Sequence, residues 1–320
     1  MTVTGLPPPV SSEDLDFDVL AVTLSRGRRW KDRVATWAML LSVLVATIPL
    51  ALVIFVVIQK GQSVLRPDWF TNDIPTDIAS AALAEKFGAT AQAVVYGMQP
   101  AIIGTIVITG LAALLAIPIG ILGAVYLNEY GKTRRLASAI RFLTDVMTGV
   151  PSVVMGIFIY TVWVLRFHER TTFAGALALA CLMLPIVVRS TEEMLKLVPD
   201  SLREASAALG TRTWRTTVGV VLPAALPGIT SGCMLAVARA AGETAPLLFT
   251  IGSISRFPGA GHLVSQLGEQ NTALSTQIFS NATQPGGEAL AWGAALTLIV
   301  MVLVLTMVAR FVTARFASLR

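Results

Sequence analysis

The chain alternates long apolar runs with short polar connections, many of them basic. A bilayer core of ~30 Å takes roughly 20 apolar residues of helix to cross. Residues 34–58, 102–127, 146–165 and 289–309 each supply that length without a charge and predict four membrane spans. Residues 171–188 form a shorter run, and 218–251 a run long enough to cross but interrupted by Arg239 and Glu243. Counting both gives six spans and an all-α integral membrane fold.

Composition agrees with that pattern. With 54% hydrophobic residues, 13% charged and a mean hydropathy of +0.72, the chain has the make-up of a membrane protein and not of a soluble one. Basic residues near span ends are retained on the cytoplasmic side. Arg26, Arg28, Arg29, Lys31 and Arg33 precede the first span; Lys132, Arg134, Arg135 and Arg141 fill the second connection; Arg189, Lys196, Arg203, Arg212 and Arg215 fill the fourth. These connections read as cytoplasmic, as do both termini. Segments 59–97 and 252–287, poor in basic residues, read as external. Within 59–97 a short helix is expected over 78–87, as an outer cap or a contact for an outside partner.

The chain divides into a flexible cytoplasmic tail (1–33), the first span (34–58), the external segment (59–97) and a core (98–315) that carries five spans and a cytoplasmic loop (198–223). The tail has prolines and acids where a signal peptide would have a basic start and an apolar core, so no cleavage is expected. A net charge of +5 reports topology and contact with anionic lipid in the bilayer, and no nucleic-acid signature is present. Cys181 and Cys233 lie in apolar helix as packing residues. His168 and His262 lack metal-ligand spacing. Small residues four apart, Gly120 with Ala124 and Gly228 with Gly232, fit close helix packing.

Two stretches carry candidate chemistry. The first is "VPDSLREASAALGTRTWRTTVGVVLP", residues 198–223. Ser201 and Glu204 have capping-box spacing, and Gly210 is placed to end a helix over 202–209. Thr211 or Thr213 is then the cap of a second helix running toward Pro223. Spacing alone leaves Glu204 open as a mere helix cap. The segment, however, resembles the signature loop of the permease subunits of ABC importers. Glu204 and Ala205 match its Glu-Ala-Ala, Ser206 departs from it, Gly210 falls six after the glutamate, Val220 stands for an isoleucine, and Leu222-Pro223 match in register. The resemblance implies the type I permease fold and a coupling role for Glu204, Ala205, Ser206, Gly210, Leu222 and Pro223. It also implies a separate ATPase that binds ATP and Mg, since this chain has no phosphate-binding loop and no cofactor of its own; "YGKT" at 130–133 has Tyr126 where such a loop requires glycine.

The second stretch is "ARAAGETAPLLF", residues 238–249. A charge near mid-bilayer costs at least ~2.5 to 3.5 kcal/mol, so Arg239 and Glu243 must face protein or water. Their i,i+4 spacing puts both on one face of the helix. They can form a self-neutralising pair that joins helices. Alternatively Arg239 binds an oxyanion through its planar fork, while Glu243 accepts a hydrogen bond from a protonated anion such as phosphate. "RAAGETAPLL", "TGVPSVVMGIF" (148–158) and "LREASAALG" together resemble the phosphate-importer permeases of the PstA type over about 100–312. That resemblance implies a bacterial plasma-membrane assembly: two permeases as a heterodimer, two ATPase subunits and an extracytoplasmic phosphate-binding protein. Arg239 and Glu243 would line the phosphate pathway, with Thr244 and Ser152 as weaker candidates. The chain itself would not be an enzyme. A sulfate or molybdate permease and a secondary transporter are the alternatives.

Overall fold

The computed structural model describes residues 26–76, 96–131, 134–256 and 265–317. Among them there are helices and no strands. By contacts the chain divides into Met1–Val56 and Val57–Arg320. The first unit holds most of α1 (Arg26–Gly61), a helix that starts within the basic cluster and carries Pro49 inside it.

The second unit contains α2 (Pro67–Thr71), α3 (Gln99–Tyr130), α4 (Arg135–Gly149), α5 (Ser152–Phe167), α6 (Thr172–Leu197), α7 (Asp200–Ala208), α8 (Thr213–Ala241), α9 (Ala245–Thr250), α10 (Leu274–Ala282) and α11 (Glu288–Ala317). Helices α1, α3, α6, α8 and α11 are long and apolar enough to cross a membrane, and α4 with α5 makes a sixth if the bent pair is one span. The expected helix over 78–87 lies outside the described residues.

The centre is α6, flanked by α3 and α8. Ala112, Ala116, Gly120 and Ala124 recur every four residues along α3, and all four are buried. A Cβ added to Gly120 would fall 2.6 Å from Val187 Cγ1 of α6. On the other side Gly228 and Gly232 of α8 lie against Met194 and Ser190 of α6 with no room for a methyl group. Descending numbers on α6 meet ascending ones on α8, so the two helices are antiparallel. The small-residue spacings therefore do serve packing, and both converge on α6. Cys233 is buried in the same core, and Cys181 packs against a smaller cluster around Ala174 and Ala178.

Two expected spans are interrupted. Residues 146–165 are not a straight helix: α4 and α5 meet at a 106° bend. Val150 is extended (φ −74°, ψ 128°), as residues before proline prefer, and Pro151 starts the next helix. Residues 218–251 are not continuous either. Helix α8 closes at Ala241, Gly242 caps it, and α9 restarts at Ala245 with Pro246 in its first turn. Near its start α8 widens into a π-helical turn over Thr217–Val221. Pro223 has no N–H for the carbonyl four residues back, and a wider turn is one way to absorb that loss.

At the end of the bundle predicted to be external, buried polar groups are matched locally. Thr172 accepts from Asn271 Nδ2 at 3.1 Å, Thr105 Oγ1 accepts from the Leu274 backbone N–H at 2.8 Å, and Gln277 donates to Thr272 Oγ1 at 2.9 Å. Trp69 of α2 is fully buried and donates its indole N–H to Thr297 of α11 at 2.9 Å.

Candidate functional site

Arg239 occupies the last turn of α8, while Glu243 lies beyond the helix end in the break before α9. The pair is thus formed across a helix terminus and not along one helical face, as the spacing had suggested. Arg239 Nε lies 3.6 Å from Glu243 Oε1, with Arg239 66% exposed and Glu243 19%. That distance is within reach of an ion pair and too long for a hydrogen bond. Among the described residues no hydrogen bond holds the Arg239 guanidinium.

The break is held from outside. Ser275 at the start of α10 donates its hydroxyl to the Glu243 carbonyl at 2.9 Å, and Thr244 donates its own hydroxyl to the Ser275 carbonyl at 3.5 Å. On the other side Gly156 of α5 lies so close to Pro246 that an added Cβ would be 2.6 Å from its Cα. Tyr160 and Phe249 meet edge to face at 6.5 Å. Ser152, half-buried at the start of α5, shares no hydrogen bond or ion pair with Arg239 or Glu243 among the described residues.

Depth can be read from α6. Arg239 and Glu243 share a narrow cleft with Leu182, Met183 and Ile186. Met183 lies about 16 Å along α6 from Thr172 and about 9 Å short of Arg189, within a stretch that carries no charge. The pair therefore sits at the level of the uncharged middle of a span.

The second candidate region is the corner between α6 and α8. Helix α7 begins at Asp200 after Pro199, earlier than the predicted 202, and ends before Gly210, whose φ of +73° favours glycine. The expected Ser201/Glu204 capping box is absent, because with Pro199 at the N-cap both residues already lie inside the helix. Arg212, and neither Thr211 nor Thr213, precedes the first residue of α8. Thr211 instead donates to the Ser206 carbonyl at 2.7 Å. Ser206 is buried, with its hydroxyl 2.8 Å from that of Thr216 on α8. Glu204, Ala205 and Gly210 are exposed, Leu222 and Pro223 half-buried. Leu202, Leu209 and Trp214 are exposed apolar side chains at the same corner, and Arg215 lies over the Trp214 ring at 5.3 Å.

Sequence reasoning missed the ion pairs that brace this end. Arg203 of α7 bonds Glu129 at the end of α3, and Arg141 of α4 bonds Glu192 of α6 at 2.9 Å. Lys196 joins Glu192 at 2.9 Å, and Arg189 pairs with Asp145. Lys196 and Glu192 are four apart on α6, but the other three pairs join residues 44 to 74 apart in sequence, which leave no local signal in one chain.

Residues 116–318 match the family model of the binding-protein-dependent transport system inner membrane component. The chain belongs to that family. It is 42% identical over 98% of its length, and 98% of the relative's, to the phosphate transport system permease protein PstA 1 of Mycobacterium tuberculosis. It is 37% identical to the PstA permease of Yersinia pestis, covering 90% of this chain and 92% of that one. Among solved structures, a bacterial ABC transporter involved in the import of the acidic polysaccharide alginate aligns with a TM-score of 0.51 at 18% identity, over 90% of this chain and 99% of that one. That likeness bears on the fold alone. The permease is thus a multi-pass inner-membrane subunit with an all-helical ABC-importer fold.

Proposed function

We propose that this permease forms half of the translocation pathway of an ATP-driven phosphate importer. The observation that carries the reading is Arg239, two-thirds exposed at mid-span depth beside a break in its helix. An arginine at that depth needs an anion, water or a second protein to face. Its fork suits a tetrahedral oxyanion. Glu243 disfavours a bare dianion and accepts a hydrogen bond from a protonated one, which favours phosphate over sulfate at neutral pH. Relatives named as phosphate transport permeases support the same substrate. Thr244 and Ser152 are secondary pathway positions, since Thr244 already spends its hydroxyl on a backbone carbonyl.

In this reading a second permease covers the exposed side of Arg239, and an external phosphate-binding protein delivers the anion. Two ATPase subunits carry ATP and Mg, and one of them docks on the α7–α8 corner of this chain through Glu204, Ala205, Gly210 and the apolar side chains around them. Ser206, Leu222 and Pro223 shape that corner from within. This chain contributes no hydrolytic step. The test is Arg239→Gln in the reconstituted complex. Phosphate uptake is lost while the ATPase still co-purifies; normal uptake refutes the pathway assignment. Competition by sulfate or molybdate as strong as that by phosphate would assign the site to another oxyanion.

A further inference from the structure

We infer that Arg203 is a positioning residue that makes α7 move as one body with the inner ends of α3 and α6, through a buried bond to Glu129. The inference rests on the docking role proposed for α7. The Arg203 side chain is 16% exposed and that of Glu129 is 6%. Guanidinium groups have five N–H donors, and every one is engaged here. Nε and Nη2 reach Glu129 Oε1 at 3.3 and 3.1 Å. Nη2 also donates to the Leu195 carbonyl at 2.9 Å, and Nη1 to the Val198 carbonyl at 2.7 Å and Asp200 Oδ1 at 3.0 Å.

Those acceptors belong to three different elements. Leu195 is in the last turn of α6 and Val198 caps it, so Arg203 bonds carbonyls at the helix end, that of Leu195 in addition to its 3.4 Å contact from the Val198 N–H. Asp200 opens α7 itself. Glu129 lies in the π-helical turn that ends α3, where Asn128 Nδ2 holds the same Oε1 at 2.8 Å. Without this clamp α7 would be joined to the body by its chain connections and by Ser206–Thr216. With it, a push on α7 reaches α3 directly. Gly120 packs α3 on α6, and Gly228 with Gly232 packs α8 on α6, with no slack for a methyl group. Close-packed interfaces transmit displacement and do not absorb it. The movement therefore reaches the α8 break at Arg239 and Glu243 with three helices turning together.

Lysine cannot replace this arginine, because a single ammonium with three donors cannot span acceptors spread over three elements. Glu129→Gln keeps the shape and removes the charge. The experiment uses the full complex in proteoliposomes with its phosphate-binding protein, and measures ATP hydrolysed per phosphate imported alongside thermal stability. Arg203→Lys and Glu129→Gln are each expected to raise that ratio roughly tenfold, the factor given by ~1.4 kcal/mol of lost coupling. The double variant is expected to match the singles, since the pair acts as a unit. A brace with a purely structural role would lower the melting temperature of assembled complexes and leave the ratio at the wild-type value; that result overturns the inference. If either variant fails to assemble, Glu129→Asp, which retracts the carboxylate by one methylene, is read by the same criterion. Should the wild-type complex neither bind an ATPase nor import phosphate, the docking reading itself fails, and this outcome is distinguishable because it precedes any substitution.

Discussion

Gly156→Ala tests whether the contact between α5 and α9 sets the geometry of the break. The added methyl would sit 2.6 Å from Pro246 Cα, 3.2 Å from Pro246 Cβ and 3.3 Å from Phe249 Cδ2. The first distance is roughly 1 Å inside the optimum for two carbons, and the obstacle is backbone that cannot rotate away. Overpacking of this kind costs ~1 to 3 kcal/mol. If α9 gives way, Pro246 moves, and with it Thr244 and Glu243, the two residues before Ala245. Energies of that size shift a two-state balance by about 5- to 150-fold. Phosphate uptake by the reconstituted complex is therefore expected to fall at least about fivefold, with assembly retained. Gly110→Ala on α3 is the control, since nothing lies within 4 Å of the added atom. Removing a helical glycine there is neutral or stabilising by ~0.5 to 1 kcal/mol. Uptake and melting temperature both unchanged in Gly156→Ala would refute the idea that this contact holds the break.

Three further outcomes follow from the same geometry. Gly210→Leu forces a side chain into a left-handed backbone at a cost of ~1 to 2 kcal/mol, and is expected to leave ATP hydrolysis running with little phosphate moved; an unchanged ratio of ATP to phosphate would reduce α7 to a capped helix. Ser206→Ala removes the bond to Thr216 and leaves that buried hydroxyl with a 3.5 Å contact to the Arg212 carbonyl. A loss of ~1 kcal/mol in stability with uptake retained is expected, and should be visible in a melting curve. Ser275→Ala removes the 2.9 Å bond to the Glu243 carbonyl and leaves only the 3.5 Å contact of Thr244 with the Ser275 carbonyl, so a cysteine placed at Gly242 should react faster with a thiol reagent than it does in the parent; equal rates would show that the Ser275 hydroxyl does not hold the break.

The apolar runs were enough to place the spans, because a helix in lipid must satisfy its own backbone and advertises that by length. Gly210 as the end of α7 was legible for a local reason as well: helix termini are often built on a glycine in the left-handed region. The interruptions were written in the sequence, although by length 146–165 and 218–251 each count as one span. Gly149-Val150-Pro151 combines a helix-ending glycine with a proline that biases its predecessor away from helix, and Gly242 through Pro246 combines a glycine cap with a proline suited to the first turn of a new helix. The capping-box reading failed because Pro199 is the N-cap of α7, which makes Ser201 the second residue of the helix and not its cap. Glu129 with Arg203 could not be found at all. Seventy-four residues separate them, and the local neighbours each has, Asp200 for Arg203 and Asn128 for Glu129, do not point to the other.

Trp214 gives the α7–α8 corner a native optical probe. Its indole is exposed at 53%, beneath the Arg215 guanidinium, whereas Trp69 is fully enclosed and hydrogen-bonded. An indole that passes from water into a protein groove emits at shorter wavelength, while an enclosed one scarcely changes. Docking on this corner would thus be visible as a blue shift in emission that Trp214→Phe abolishes, with no label attached to the chain.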